Sequence, residues 1–448
     1  MIALFSRPRG NDKTDRKADR LPSDSSSCRE RRSSRRLIAI LLGSFALAEF
    51  SHASVVAQVN VRVETISRGP VSGRLTRLTD SRLELNSDAG GTNVIDLKDV
   101  LAVSATDFDD VKVPPVSKTP WIFLSTGDRL RMTPLVIDDE SIAAQWDSFS
   151  LLPPISLPLE LCRGIVMSVP SSARQQGRSF DRLLNHEDEV DLITLSNGDR
   201  IEGEFVSLKD EHFTLDTSIG EVQTGTSQTQ SLVFNPDLVS IPEADENFAV
   251  LVLSDGSTLH VRSISSDGDL IIAESTGGFE FSIPVTALRT IRFYDTDKID
   301  LTGRQPTATT VVPYLSMARQ PQANRNVIGG FLSLRGRLAP TGFGVTSGTT
   351  QTWNLSSGYS QFRATVGIDD AAQGAGSVIF KVLVDDSVAW ESDLLTGKSP
   401  AVKVPPIDLS SADRFSLVVE TADRGNVLDY ANWCEPVLIR KPADLASQ

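Results

Sequence analysis

Leu195-Ser-Asn-Gly-Asp-Arg-Ile201 decides the reading of the first two-thirds of the chain. Asn followed by Gly supplies the positive φ of a tight hairpin, and the expected turn is type I′. The residues beyond it alternate as a strand does, with Ile201, Gly203 and Phe205 on one side and Glu202 and Glu204 on the other. The same pattern returns as Leu124-Ser-Thr-Gly-Asp-Arg-Leu130 and as Leu253-Ser-Asp-Gly-Ser-Thr-Leu259. A weaker relative is Ile66-Ser-Arg-Gly69-Pro-Val-Ser-Gly-Arg-Leu75. After each hairpin a second polar turn, such as Leu208-Lys-Asp-Glu-His212, leads to a short strand, here Phe213-Thr-Leu215. A closing apolar run ends each unit: Asp99 to Val103, Arg163 to Met167, Asp237 to Ile241 and Leu288 to Phe293. Self-similarity of this kind means repeated units.

Each unit offers about five short strands, too few for a large core unless the sheet curls shut. On strand count and hairpin position the units resemble SH3-like or Sm-like small barrels. The repeats are read as residues 58–113, 114–170, 191–245 and 246–300. Polar stretches at 171–190 and 301–310 lack apolar periodicity and read as linkers. The recurring Gly-Asp is assigned to turn geometry rather than to a ligand site.

Residues 1–57 read as a signal peptide with a long basic n-region. Arg29-Glu-Arg-Arg-Ser-Ser-Arg-Arg36 precedes an apolar run from Leu37 to Ala48, which is shorter than the roughly 20 residues of a membrane span. Val55 and Ala57 suit a cut before Gln58, with Ser51 and Ala53 as a second option. The expected location is secreted, or periplasmic and cell-envelope, with no transmembrane segment after cleavage. Beyond the cut two cysteines remain, Cys162 and Cys434, and they read as separate thiols.

The chain has 44 Lys and Arg against 58 Asp and Glu, a net charge of −14. Such a balance repels phosphate backbones, so nucleic acid is not an expected partner. Four histidines, no paired Cys-x-x-Cys and no phosphate loop or nucleophile elbow leave little for metal, nucleotide or acyl-transfer chemistry. No pair of carboxylates stands out by spacing, and the chain is read as non-catalytic.

The tail is again β-rich. Phe380, Val382 and Val384 alternate, as do Phe415, Leu417 and Val419, which fits a two-sheet sandwich. Five stretches stand in a telling order: Val312-Pro-Tyr-Leu-Ser316; Gly342-Phe-Gly-Val-Thr346 running on to Trp353; Tyr359 to Asp370; Gly376 to Val382 with Val384-Asp-Asp-Ser after it; and Asp429-Tyr-Ala-Asn-Trp433. Residues 311–440 thereby resemble the NPCBM family of carbohydrate-binding modules, and 441–448 form a short tail. The resemblance implies a non-catalytic, galactose-binding-like β-sandwich (a jelly roll). It also implies a glycan or polysaccharide as partner. This chain departs from the family where His would stand: Thr346 and Tyr430 replace it, and Asn432 replaces an Asp.

A sugar site needs an aromatic face for C–H groups and a few polar groups for hydroxyls. Trp433, Asp429, Asn432 and Tyr430 offer that set, with Trp353, Trp390 and Arg363 as additions. Asp369 and Asp370 form an acidic turn, a candidate for a structural Ca²⁺ among oxygen ligands; no other cofactor is expected. The repeats are read as spacers or as docking units for a protein partner. The alternative is an envelope adaptor protein whose sugar site has degenerated.

Overall fold

The computed structural model describes residues 59–87, 90–108, 119–312, 319–355, 358–423 and 425–441. The export segment, the continuation of the stretch that opens at Val312, and the tail beyond residue 441 lie outside the described residues.

The described chain is all-β apart from one helix. In the first unit, strands Asn60–Thr65, Val71–Leu78, Arg82–Asn86, Thr92–Asp96 and Val100–Ala105 follow in order, with a 3-10 turn, Leu97–Asp99, before the last. The first strand pairs antiparallel with both the second and the fifth, so the sheet curls onto itself. Alternation makes this curl possible: Val61, Val63, Leu83, Leu85 and Val103 all point inward and are fully buried. The third unit repeats the plan with Asp191–Leu195, Arg200–Lys209, His212–Thr217, Gly220–Gly225 and Thr229–Val233. The fourth repeats it with Phe248–Leu253, Thr258–Asp267, Leu270–Ser275, Glu280–Pro284 and Leu288–Tyr294. In the second, Trp121–Leu124 likewise pairs with Arg129–Leu130 and with the closing strand Cys162–Val166.

Two expectations are corrected. The hairpin turns are not type I′: Gly127, Gly198 and Gly256 have φ of 91°, 96° and 94°, while the residues before them stay outside the left-handed region. Gly198 N donates to Leu195 O at 2.9 Å and Leu195 N to Asp199 O at 2.8 Å. That is a type I turn followed by a left-handed glycine bulge, a three-residue loop. The closing strand of the third unit is Thr229–Val233 rather than Asp237–Ile241. The later stretch begins with a 3-10 turn, Pro236–Leu238, and its Leu238 and Ile241 are exposed. Pro236 has no N–H to give to a ladder.

The units are fused. The closing strand of the first pairs with that of the fourth (Ile291 opposite Val103), and that of the second with that of the third (Ile165 opposite Leu232). Thr258 pairs with Arg129, and one hydrophobic core runs through all four units. Asp128, in the second unit's turn, is fully buried; it accepts from His260 N at 2.6 Å and meets His260 Nδ1 at 2.8 Å. The turn aspartate therefore also clamps the second unit to the fourth.

The stretch read as a linker at 171–190 carries helix α1, Ala173–Leu184. Its Phe180 and Leu183 are buried with Trp121, Phe123, Val166 and Val233 of the second and third units and with Phe331 of the tail. A Cβ on Gly177 would lie 1.9 Å from Ile328 O, so the helix backbone rests directly on the tail. The 301–310 stretch is also structured. Leu301 enters the sandwich core, Ala308–Val311 pairs with Thr349–Asn354, and the preceding Lys298–Asp300 pairs with the last strand.

The tail is a two-sheet sandwich. One sheet runs Gln322–Ala323, Gly342–Thr346, Tyr430–Arg440, Tyr359–Ile368, Val402–Lys403; the other runs Ala308–Val311, Thr349–Asn354, Arg414–Thr421, Ser377–Val384, Ser387–Glu391. Phe362, Phe380, Phe415 and Trp433 fill the space between them.

Candidate functional site

The last strand places most of the predicted residues. Tyr430–Arg440 lies between Gly342–Thr346 and Tyr359–Ile368, with Thr346 opposite Tyr430 and Phe343 opposite Trp433. Alternation separates Ala431 and Trp433 from Tyr430 and Asn432. Trp433 goes between the sheets, 1% exposed, its ring 5.1 Å from Phe380 in T-shaped contact. Trp353 is buried too, stacked on Phe415 at 5.3 Å, and its Nε1 donates to Arg304 O at 3.0 Å. Neither indole offers a face to a sugar; the inter-sheet space needs that volume. Trp390 is half-buried against the same core.

Asn432 and Asp369 are buried together. Asn432 Nδ2 donates to Asp369 Oδ2 at 2.5 Å, and Asn326 Nδ2, Ser333 N and Ala371 N donate to the same carboxylate at 3.1, 3.0 and 2.9 Å. Burial pushes the Asp369 carboxyl up to about 6, against the pull of those donors. N–H groups occupy the lone pairs that a cation would require, so the pair does not fit the calcium expectation. Asp370 is exposed and accepts from Gly336 N at 2.7 Å. Among the described residues no cluster of three or more His, Cys, Asp or Glu side chains is placed to hold a metal ion. The structure thus gives Asn432 and Asp369 a role in fastening the 324–333 loop to the sheet.

Arg363 also leaves the predicted site. Its guanidinium donates to Thr65 O and Ile66 O of the first unit at 3.0 and 3.1 Å. Cys162 and Cys434 are free and buried, as separate thiols.

Asp429 immediately precedes the last strand, and Tyr430 opens it. Asp429 is 1% exposed and accepts from Ser347 Oγ at 2.7 Å and Ser377 N at 2.8 Å. It therefore ties the turn after Thr346 to the loop before Tyr430. Those two residues, cross-strand neighbours, line a cavity of about 690 Å³ at one end of the sandwich. Gln320, Gln322, Asn426 and Arg319 bring polar groups to it, and Val327, Val427 and Leu428 bring apolar surface. Helix α1 supplies Arg174 and Asp181, and Asp181 is held by Arg325 at 2.5 Å. Apart from Tyr430, sequence reasoning missed this lining. One available signal was that Thr346 and Tyr430 are the two positions where the chain departs from the NPCBM pattern at a histidine.

A two-sheet module with a concave site of mixed polar and apolar lining among its end loops is the class that fold and geometry define. Residues 308–439 match the NPCBM/NEW2 domain. Among solved structures, the chain is similar to a CBM51 module from Clostridium perfringens GH95 in complex with methyl-galactose, at 18% identity over 32% of this chain and 99% of that one, TM-score 0.29. It is also similar to the CBM51-2 and INT domains of Clostridium perfringens ZmpB in complex with GlcNAc, at 22% identity and TM-score 0.29, where the match spans 42% of either chain. Tandem CBM51 modules of a Streptococcus pneumoniae family 98 glycoside hydrolase match at 11% identity over 58% of this chain and 91% of that one, TM-score 0.29. No curated protein matches.

Proposed function

We propose that the protein binds a glycan, without catalysis, in the cavity lined by Thr346 and Tyr430. The observation that supports it is the coincidence of that cavity with the matched module. Cavities of this size suit small ligands, and its lining mixes a phenol ring, aliphatic surface and hydrogen-bonding amides. Asp429 fixes the two strands that carry Thr346 and Tyr430, so the site is preorganised from behind. The fused repeats act as a rigid base for the module. The basic and apolar segments before Gln58 support export to the envelope or beyond.

Screening the full chain against a glycan array tests the reading. Binding to a defined glycan class is expected, with Tyr430→Ala weakening it about tenfold, or roughly 1.4 kcal/mol, while the fold persists. An array without specific binding, or binding indifferent to Tyr430→Ala and Thr346→Trp together, would overturn it. Export is checked by expressing the chain with its own N-terminus and sequencing the mature product, which is expected to begin at Gln58.

A further inference from the structure

A second cavity, about 600 Å³, lies where the first and fourth units meet the sandwich. Its lining is unlike the rest of the molecule in charge. The first unit contributes Arg62 and Arg68, the fourth Arg289 and Arg292, and the sandwich Arg337, Arg363 and Lys403. Only Glu64 and Glu435 among the lining residues are carboxylates. Among the lining residues seven cations thus stand against two carboxylates, in a chain whose net charge is −14.

Within the cleft Lys403 pairs with Glu64, and Arg292 with Glu435 at 3.1 Å; Arg289 and Arg337 also have partners. Arg68 leans on Asp99 at 3.6 Å. Arg363 is different, because its guanidinium donates to neutral oxygens: two backbone carbonyls and Gln361 Oε1. Burial lowers its affinity for a proton, the direction expected of a cation whose surroundings under-compensate it. Between the charges the lining turns apolar, with Pro405, Pro406, Phe108, Leu334 and Leu338. Guanidinium groups grip planar carboxylate and tetrahedral sulfate oxygens in pairs, and proline and phenyl faces suit the C–H surface of a sugar ring.

We propose that this inter-domain cleft binds an acidic oligosaccharide, one bearing uronate carboxylates or sulfate groups. The site is separate from the Tyr430 cavity and stands whether or not that cavity takes a sugar. A long duplex is disfavoured, since the acidic remainder of the chain would repel it outside the cleft. A short acidic chain inserted between barrel and sandwich meets the positive lining alone.

Isothermal titration of the full chain compares four probes: an oligogalacturonate, a heparin hexasaccharide, a neutral oligosaccharide of equal length and single-stranded DNA. Binding of at least one acidic saccharide, weakening as salt rises, is expected. Arg62→Glu with Arg337→Glu, both at exposed positions, is expected to weaken it by about tenfold or more, with Tyr430→Ala leaving it unchanged. Arg363→Met, checked for retained fold by circular dichroism, is expected to reduce it further. Four outcomes would overturn the proposal: no binding of either acidic probe, equal binding of the neutral one, equal or tighter binding of the DNA, or affinity unmoved by the arginine changes.

Discussion

Asp369 shows how a residue that reads as a cation ligand becomes a structural acceptor. Its carboxyl is buried and pushed up to about 6, above the ordinary aspartate value of about 3.9. Below pH 4 it is protonated in both folded and unfolded chains and costs nothing. As pH rises from about 4 to 6 the unfolded carboxyl ionises first, so folding loses stability, by about 3 kcal/mol in all. Above pH 6 the loss is constant. Urea unfolding of the native chain and of Asp369→Asn is expected to give a stability difference that shifts by that amount between pH 4 and pH 7; a difference independent of pH would show that this carboxyl does not titrate there. Trp433 makes the complementary point. The sequence shows an indole next to polar groups, which suits either a sugar platform or a core, and strand alternation alone does not choose. The choice comes from tertiary packing, where Phe380 of the facing sheet and Phe362 of the neighbouring strand close over the ring. Trp433→Ala is expected to cost about 3–5 kcal/mol in chemical denaturation, the usual loss for a buried large aromatic. A loss under about 1 kcal/mol would mean the ring is not packed as described.

At the scale of elements, the hairpins were legible because glycine bulges and two-residue alternation are local. The closing strand of the third unit was not. Thr229 to Val233 and Asp237 to Ile241 both carry apolar residues, and only pairing with Asp191–Leu195 and Cys162–Val166 selects the first. Helix α1 was hidden for a related reason: it buries Phe180 and Leu183 but little else that is apolar, so a segment amphipathic at helical spacing reads by composition as a polar linker. Its position depends on a contact that no sequence pattern announces, the approach of Gly177 to Ile328 O. A β-branched side chain there has no room, and the obstacle is backbone rather than a movable side chain. Gly177→Val is therefore expected to lift the helix from the 326–331 loop, open the 171–190 segment to limited proteolysis and loosen the wall that Arg174 and Asp181 give the end cavity. Resistance to protease equal to that of the native chain would contradict this docking.

Over the whole molecule, the repeats look in sequence like four modules on a string, yet they share one sheet and one core. The ties reach the sandwich as well. Lys298 is 2% exposed in its side chain, donates to Leu97 O and Val100 O at 2.9 and 3.0 Å and pairs with Asp295, while its own strand bonds to the last strand of the sandwich. Val437 and Ile439 of that last strand bury against Leu101, Val250 and Tyr294 of the first and fourth units. No single unit covers its own apolar edge: the closing strand of the first needs that of the fourth, and the second that of the third. A unit cut out alone would expose a strand edge and part of the common core, and so small a domain has little stability in reserve. Residues 191–245 expressed alone are therefore expected to be unfolded or aggregated. The chain from Gln58 onward is expected to melt in one calorimetric transition whose van't Hoff and measured enthalpies agree. Resolved transitions, or an isolated repeat with dispersed amide resonances, would show that the shared sheet is a surface contact between self-sufficient barrels. Lys298→Met offers a finer measure: it removes a charge clamp without removing bulk, so it is expected to lower the single transition, and splitting it would show that this tie alone couples barrels to sandwich.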